Sequence, residues 1–289
     1  MSDASLNLYR DHSRSWHENK FVYPVLSRRS KGISIGVNLN PDKICNFDCI
    51  YCQVDRRSES ETRFVGLDQL MAELDHMFEF VKSGEIYEDE KFKSVPAELR
   101  RLNDVAFSGD GEPTTYRNFD ELMGMVADLK AKHELDNVKM VLITNASMFH
   151  RPVVQRGLEI LDRNNGEIWA KLDAGTPEYY ELIDRSRIKF QQVLDNIASA
   201  AKARPIVIQT LFMNVHGEPP SGEEIKAYCG RLNDVLAAGG KIKLVQIYTI
   251  ARQTTESYVT PLSDAEVDAI AATVTAQTGL PAEVFYGRS

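Results

Sequence analysis

From Ile33 onward, short apolar runs alternate with longer amphipathic segments. Ile33–Leu39 reads as a strand. A helix is predicted over about 67–82, because Leu67, Leu70, Met71, Leu74, Phe78 and Val81 fall at i, i+3, i+4, i+7, i+11 and i+14. Residues 83–102 are mixed in charge and read as an insertion with a short helix. A β-then-α rhythm follows. Val105–Phe107 is a strand, and Phe119, Leu122, Val126 and Leu129 mark a helix. Val138–Ile143 precedes a helix around 151–163. Ile168–Leu172 ends in Asp173-Ala174-Gly175, after which Thr176 and Pro177 supply an N-cap and a proline at the first helical position. Pro205–Leu211 is a fifth strand, followed by a helix opened by a Ser221–Glu224 capping box. Ile242–Tyr248 is a sixth, and a last helix runs from a Ser263–Glu266 capping box to a Gly279 C-cap.

Strands separated by helix-length segments imply a parallel sheet with right-handed crossovers. Six such units are too few for an eight-fold barrel but fit a partial one, while a doubly wound open sheet has the same pattern. Residues 1–32 are polar and irregular and read as an N-terminal arm anchored by Tyr9, Trp16, Phe21 and Tyr23. Without a linker, repeat or low-complexity tract, residues 1–289 read as one domain, with a core at about 33–250 and a C-terminal extension at 251–289 carrying one helix.

Composition narrows the class. Apolar residues at 43% and charged residues at 26% are ordinary for a globular protein. No apolar run approaches the roughly 18–20 residues that span a bilayer. The N-terminus lacks the basic and apolar regions of a signal peptide, and few, clustered cysteines suit a reducing cytoplasm. A net charge of −8 works against wide contact with nucleic-acid phosphates. Two local basic runs, Arg28-Arg29-Ser30-Lys31 and Arg56-Arg57, read as a solvated rim or as a docking face for an acidic electron donor such as flavodoxin.

The chemistry concentrates in Cys45-Asn46-Phe47-Asp48-Cys49-Ile50-Tyr51-Cys52, which holds three of the four cysteines in a C-x₃-C-x₂-C spacing. An odd trio in a chain without export signals is poor material for disulfides. It is one ligand short of a structural zinc site. Three thiolates do suit a [4Fe–4S] cluster whose fourth iron stays open to another ligand. The six histidines show no metal-ligand spacing, and only His150 falls near a strand end.

The spacing, the aromatic Tyr51 before the last cysteine and the position after a first strand resemble the radical S-adenosylmethionine (radical SAM) superfamily. The resemblance implies an incomplete (β/α)₆ TIM-type barrel. It also implies a [4Fe–4S] cluster on Cys45, Cys49 and Cys52 whose open iron chelates SAM. Such enzymes cleave SAM reductively to methionine and a 5′-deoxyadenosyl radical that takes hydrogen from a substrate, with reduced flavodoxin or ferredoxin as electron donor.

Strand two ends in Ser108-Gly109-Asp110-Gly111-Glu112-Pro113-Thr114, which resembles the family's second motif. The resemblance assigns Gly109, Asp110, Gly111 and Glu112 to the SAM ammonium, although alone the run is an ordinary turn. Tyr51 would lie near the adenine, or serve as a core aromatic. Thr144, Asn145, Lys171 and Asp173, at the ends of strands three and four, would meet SAM or substrate; Lys171 and Asp173 also suit an internal ion pair, since residues two apart share a strand face. Arg185 or Arg187 would supply a cation to the SAM carboxylate, or lie on the surface. Gln209, Gln246 and Arg252 are further candidate substrate groups.

The runs Asn38-Leu39-Asn40 and Lys171-Leu172-Asp173-Ala174-Gly175 look most similar to the wyosine-synthase-like group, which rebuilds a tRNA guanine with pyruvate and carries a second cluster on N-terminal cysteines. Residues 1–44 contain no cysteine, so a relative with a different substrate is expected. A tRNA-modifying wyosine-type synthase, a glycyl-radical activating enzyme and a non-catalytic iron–sulfur or zinc module stay open as alternatives. Cys229 shares a helical stripe with Ile225, Tyr228, Leu232 and Leu236 and reads as a buried small hydrophobe rather than a ligand or hydrogen donor. Cys229→Ala is therefore expected to leave the iron content of the reconstituted protein unchanged; a loss of iron on elemental analysis would make Cys229 a ligand.

Overall fold

In the computed structural model, which describes residues 16–60 and 62–287, the chain is α/β. Strands and helices alternate and most strands pair in parallel, the pattern of a partial (β/α)₆ barrel with an N-terminal arm. Tyr9 lies outside the described residues. The chain forms two compact units, each assembled from separated segments. One comprises residues up to Ile44, Glu59–Ile143 and Arg151–Glu167; the other comprises Cys45–Ser58, Thr144–His150 and residues from Ile168 on.

The first unit holds β1 (Val22–Ser27), β2 (Gly32–Val37), α1 (Leu67–Lys82), β3 (Leu102–Phe107), α2 (Phe119–Lys132), most of β4 (Lys139–Thr144) and α3 (Pro152–Arg163). Its strands run in the order β1-β2-β3-β4. β2, β3 and β4 are parallel, and β1 lies antiparallel to β2 from Val22↔Val37 to Ser27↔Gly32. The arm is thus not irregular throughout. Val22, Val25 and Leu26 are buried and make a strand despite Pro24. An outermost strand tolerates proline, because one row of its backbone groups has no ladder to join. Residues 83–102 hold two short 3₁₀ turns, Glu85–Glu88 and Ala97–Leu99, in place of one short helix.

The second unit holds the rest of β5 (Gly166–Lys171), α4 (Pro177–Asp184), α5 (Phe190–Ala203), β6 (Ile206–Leu211), β7 (Met213–Val215), α6 (Gly222–Ala237), β8 (Ile242–Tyr248), β9 (Val259–Pro261), α7 (Asp264–Thr278) and β10 (Ala282–Phe285). The order is β5-β6-β8-β10, with β7 and β9 paired separately and antiparallel. Thr176 caps α4 as expected, and both the Ser263–Glu266 box and the left-handed Gly279 cap of α7 are present. Three features depart from the sequence reading. Residues 176–204 hold two helices, with Phe190, Val193, Leu194 and Ile197 forming the buried stripe of α5. Ser221 accepts from the Glu224 N–H, but the Glu224 carboxylate takes the Gly175 N–H and Thr176 hydroxyl instead of completing a capping box. β10 adds a strand parallel to β8.

A buried carboxylate ties β1 to α1. Glu73, 8% exposed, accepts from the backbone N–H groups of Lys20, Phe21 and Val22 at 3.0, 2.9 and 3.1 Å. Gln69 Nε2 donates to it at 2.9 Å from one turn earlier. Glu73→Ala would orphan three N–H groups, and buried orphans cost about 1–3 kcal/mol each before relaxation. The expected loss is about 3 kcal/mol in urea unfolding, with Glu73→Gln milder; a loss below about 0.5 kcal/mol would show that the arm is held without this clamp.

Candidate active site

The cysteine loop is shaped by the end of a short helix. α4 stops at Asp184 because Arg185 turns left-handed, with φ 45° and ψ 40°. A helix end leaves its last carbonyls without intrahelical partners. Here two of them are taken by the loop: Ile50 N–H donates to Ile183 O at 2.9 Å and Asp48 N–H to Asp184 O at 3.1 Å. Ser186 Oγ donates to Asn46 O at 3.1 Å, and Arg185 Nε to Asp48 O at 2.7 Å. Within the loop Cys52 N–H reaches Cys49 O at 2.9 Å, and Thr255 N–H reaches Cys52 O at 2.9 Å. The loop is therefore held by its backbone. Cys45, Cys49 and Cys52 form no disulfide and are half-buried.

Beside it lies a polar network from the ends of β5, β6 and β8. Asp173, 3% exposed, accepts from Tyr51 Oη at 2.5 Å, Leu211 N–H at 2.7 Å and Lys171 Nζ at 3.0 Å. Lys171 Nζ also donates to Tyr248 Oη at 2.8 Å and sits 5.0 and 5.3 Å from the Tyr51 and Tyr248 ring centres. The internal ion pair between Lys171 and Asp173 is thus real. Burial works against the Lys171 ammonium, but Asp173 and Tyr248 outweigh it and hold its pKa above the usual lysine range. Cys49 Sγ donates to Asp184 Oδ1 at 3.3 Å. Burial, then the charge of Asp173, pushes Asp184 up to about 8. Burial, then Asp184, raises the Cys49 thiol, and burial followed by Asp173 raises the Tyr51 phenol.

The other expected residues fall into separate groups. Thr144 and Asn145 are buried at the end of β4, where Thr144 Oγ1 accepts from Ala146 N–H at 3.0 Å. Asn145 Nδ2 donates to Asn46 Oδ1 at 2.9 Å and Asn46 Nδ2 to Ser147 Oγ at 2.8 Å, so this turn supports the cysteine loop. Arg185 also pairs with Glu256 at 2.8 Å and with the Asp48 carboxylate at 3.2 Å. Arg56, read as a rim residue, turns its Nη2 to Cys52 Sγ at 3.6 Å. Arg57, Arg187 and His150 are exposed, and Cys229 is buried.

Gly109–Glu112 belongs to the first unit. A Cβ on Gly109 would strike Asn38, and one on Gly111 would strike Asn40 and the Ile44 carbonyl. These glycines serve close approach to the segment after β2 rather than a positive φ. Asn38 brackets Asp110, donating to its carboxylate at 2.6 Å and accepting from its N–H at 3.1 Å. Glu112, 3% exposed, accepts from the Thr114 N–H at 3.0 Å and from the Thr114 hydroxyl. Asn40 Oδ1, against Gly111, is buried with no hydrogen-bond partner.

The cysteine trio on a loop after one strand and the Gly-x-Gly-Glu turn after the next are the two motifs of the chain. The family model described as "Radical SAM superfamily" matches residues 39–229, more than half of the chain and both motifs. The chain belongs to the radical SAM superfamily.

Its similarity to individual proteins is lower. It is 25% identical over 272 residues to a "GTPase Obg" of Brachyspira hyodysenteriae, a match covering 91% of this chain and 35% of that protein. It is 28% identical over 219 residues to a "UPF0026 protein" of Helicobacter pylori, covering 74% and 62%. The chain thus spans less than two thirds of the length of either relative. A radical SAM methyltransferase from Sphaerobacter thermophilus superposes with a TM-score of 0.63 over 93% of this chain and 70% of that one, at 14% identity, and so shares its fold.

The superfamily implies a [4Fe–4S] cluster and SAM. Among the described residues no three His, Cys, Asp or Glu side chains converge as a site for one metal ion. The donor chemistry of three thiols outside any disulfide, on a backbone-held loop, nonetheless fits a cluster whose irons take soft thiolates. The unpartnered Asn40 carbonyl beside Gly111 fits the ammonium of SAM.

Asp184, Tyr248 and Asn46 did not stand out in the sequence. A carboxylate in the last turn of α4 opposes the helix dipole, which is the one signal that marked Asp184. Lys171→Met would leave Asp173 buried without its cation, a change that costs about 3–5 kcal/mol when a buried pair is broken. A loss of about 3 kcal/mol is expected in chemical unfolding; a change below about 1 kcal/mol would mean that the Tyr51 and Leu211 donors suffice for Asp173.

Proposed function

We propose that this chain is a catalytic radical SAM enzyme, acting as one domain, whose Cys45, Cys49 and Cys52 hold the cluster. The observation that carries this is the pinned loop: its backbone is bonded to Ile183, Asp184, Arg185 and Ser186, and none of its three thiols is spent in a disulfide. When bound, cluster and SAM would supply one-electron cleavage to methionine and a 5′-deoxyadenosyl radical, which abstracts hydrogen from a substrate.

The chain's residues position and tune. The Gly109–Glu112 turn offers acceptors for the SAM ammonium, and Glu112 is oriented by Thr114. The Tyr51 ring is fixed by its bond to Asp173, on the face where Lys171 sits. Arg56 places a guanidinium on the Cys52 sulfur. Cys49 must lose its proton to ligate iron, and burial, then the Asp184 carboxylate, opposes that loss. An acidic flavodoxin or ferredoxin fits as electron donor, and the exposed Arg57 is a candidate contact. No helix among the described residues is long and apolar enough to cross a membrane.

The test is anaerobic. Reconstituted protein given dithionite and SAM is expected to form 5′-deoxyadenosine. Cys45→Ala, Cys49→Ala and Cys52→Ala are each expected to lose the visible charge-transfer absorbance of the cluster and at least 100-fold in product, about 2.7 kcal/mol of barrier. Retention of iron by all three variants would overturn the ligand assignment. Iron without 5′-deoxyadenosine, in the presence of candidate substrates, would favour a non-catalytic module.

A further inference from the structure

Beyond the cysteine loop, the second unit brings a row of polar side chains together. Across the parallel strands Lys171 pairs with Gln209, Gln209 with Gln246, and Gln246 with Glu283. Residues directly opposite one another project from the same face of a sheet, and their chain neighbours from the other. Gln209 Nε2 donates to Gln246 Oε1 at 2.7 Å. The intervening Thr210 points the opposite way, its hydroxyl meeting Tyr228 of α6. The amide row therefore lies on the face turned away from α6, the face that carries Lys171 and Asp173.

Gln209 and Gln246 are 0% and 2% exposed. A core role alone does not account for them, because Gln209 Oε1 has no hydrogen-bond partner. A buried carbonyl without a donor is unfavourable, and two apolar side chains of the same length would avoid it. The single bond between the two amides uses one end of each. It leaves an acceptor on Gln209 alongside the remaining amide N–H groups. Turning both amides over exchanges these ends and leaves the same kind of complement. Next in the row, Lys171 is already neutralised by Asp173 at 3.0 Å, so the row offers no spare charge for an anion, and the unpaired carbonyl repels one.

We propose that Gln209 and Gln246 bind the substrate through a neutral amide edge, an N–H beside a carbonyl, as in a carboxamide or a lactam-bearing base. Calling this ligand the substrate rests on the radical SAM reading; the amide recognition itself rests on the row.

The test uses the reconstituted holoenzyme with SAM and three probes of similar size: uracil as lactam, nicotinamide as carboxamide and benzoate as carboxylate. Ligand-observed NMR titration is expected to show uracil or nicotinamide binding at least ten-fold more tightly than benzoate, and the tighter of the two identifies the source of the edge. The Gln209→Met, Gln246→Met double variant is expected to lose that affinity at least ten-fold while its melting temperature holds or rises, since the orphan acceptor is gone. Absence of amide binding to the wild type, equal binding of benzoate, or unchanged amide affinity in the double variant would each overturn the proposal. The wild-type comparison needs no variant to fold. Formation of 5′-deoxyadenosine by the same preparation reports separately on the radical SAM reading.

Discussion

Asp173 is a carboxylate with almost no access to water, and the site is built around meeting its needs. A buried charge is tolerated only where a cation and several donors reach it together. Those donors come from three places in the sequence: Lys171 at the end of β5, the Leu211 N–H at the end of β6, and Tyr51 inside the cysteine loop. Loss of any one leaves the others around an under-satisfied charge. The tip of the cysteine loop is thereby fixed to two strand ends at the position of Tyr51, one residue from Cys52. Lys171 extends the network to Tyr248 and so adds the end of β8.

A second constraint acts on the loop's backbone. Eight residues are too few for a helix to be stable alone, and α4 gains most from its ends. Thr176 caps its start, and the cysteine loop's own N–H groups satisfy its last carbonyls. Helix and loop stabilise each other, so neither is expected to order without the other. The arrangement also brings Asp184 to Cys49. That carboxylate gains nothing from the helix dipole at its position, which points to the site rather than the helix as the reason for an acid there.

Most of the fold was legible because periodicity is a local property. The amphipathic stripe of α1, the Thr176-Pro177 start of α4 and the Gly279 stop of α7 are written within one or two turns. What the sequence hid was decided at a distance. β1 carries Pro24 and polar flanks, and is a strand only because β2 and Glu73 receive it. Glu224 fits a capping box locally but is recruited by Gly175 and Thr176, nearly fifty residues earlier in the chain. The site shows the same division. The cysteine spacing and the Gly109–Glu112 run are contiguous and readable, whereas Asp184 and Tyr248 matter through partners that only folding supplies. Arg56 read as a surface charge because its partner, the Cys52 sulfur four residues away, becomes one only in the loop's folded shape.

The polar interior of the second unit then divides into two chemistries along one row of the sheet. At Lys171 the charges cancel in a dense network in which each group has a partner, an arrangement suited to holding a loop still. One strand further, Gln209 and Gln246 carry no charge and are not fully paired. An ion network whose groups are partnered thus lies beside an amide pair that is incompletely satisfied, the contrast on which the proposed division between cofactor positioning and ligand recognition rests. In a superfamily whose cofactor chemistry is shared, discrimination between substrates has to come from groups outside the cluster motif. Within the Gln209–Gln246 pair the Gln209 carbonyl is buried with its hydrogen bond unmet, and it is the group proposed for that discrimination.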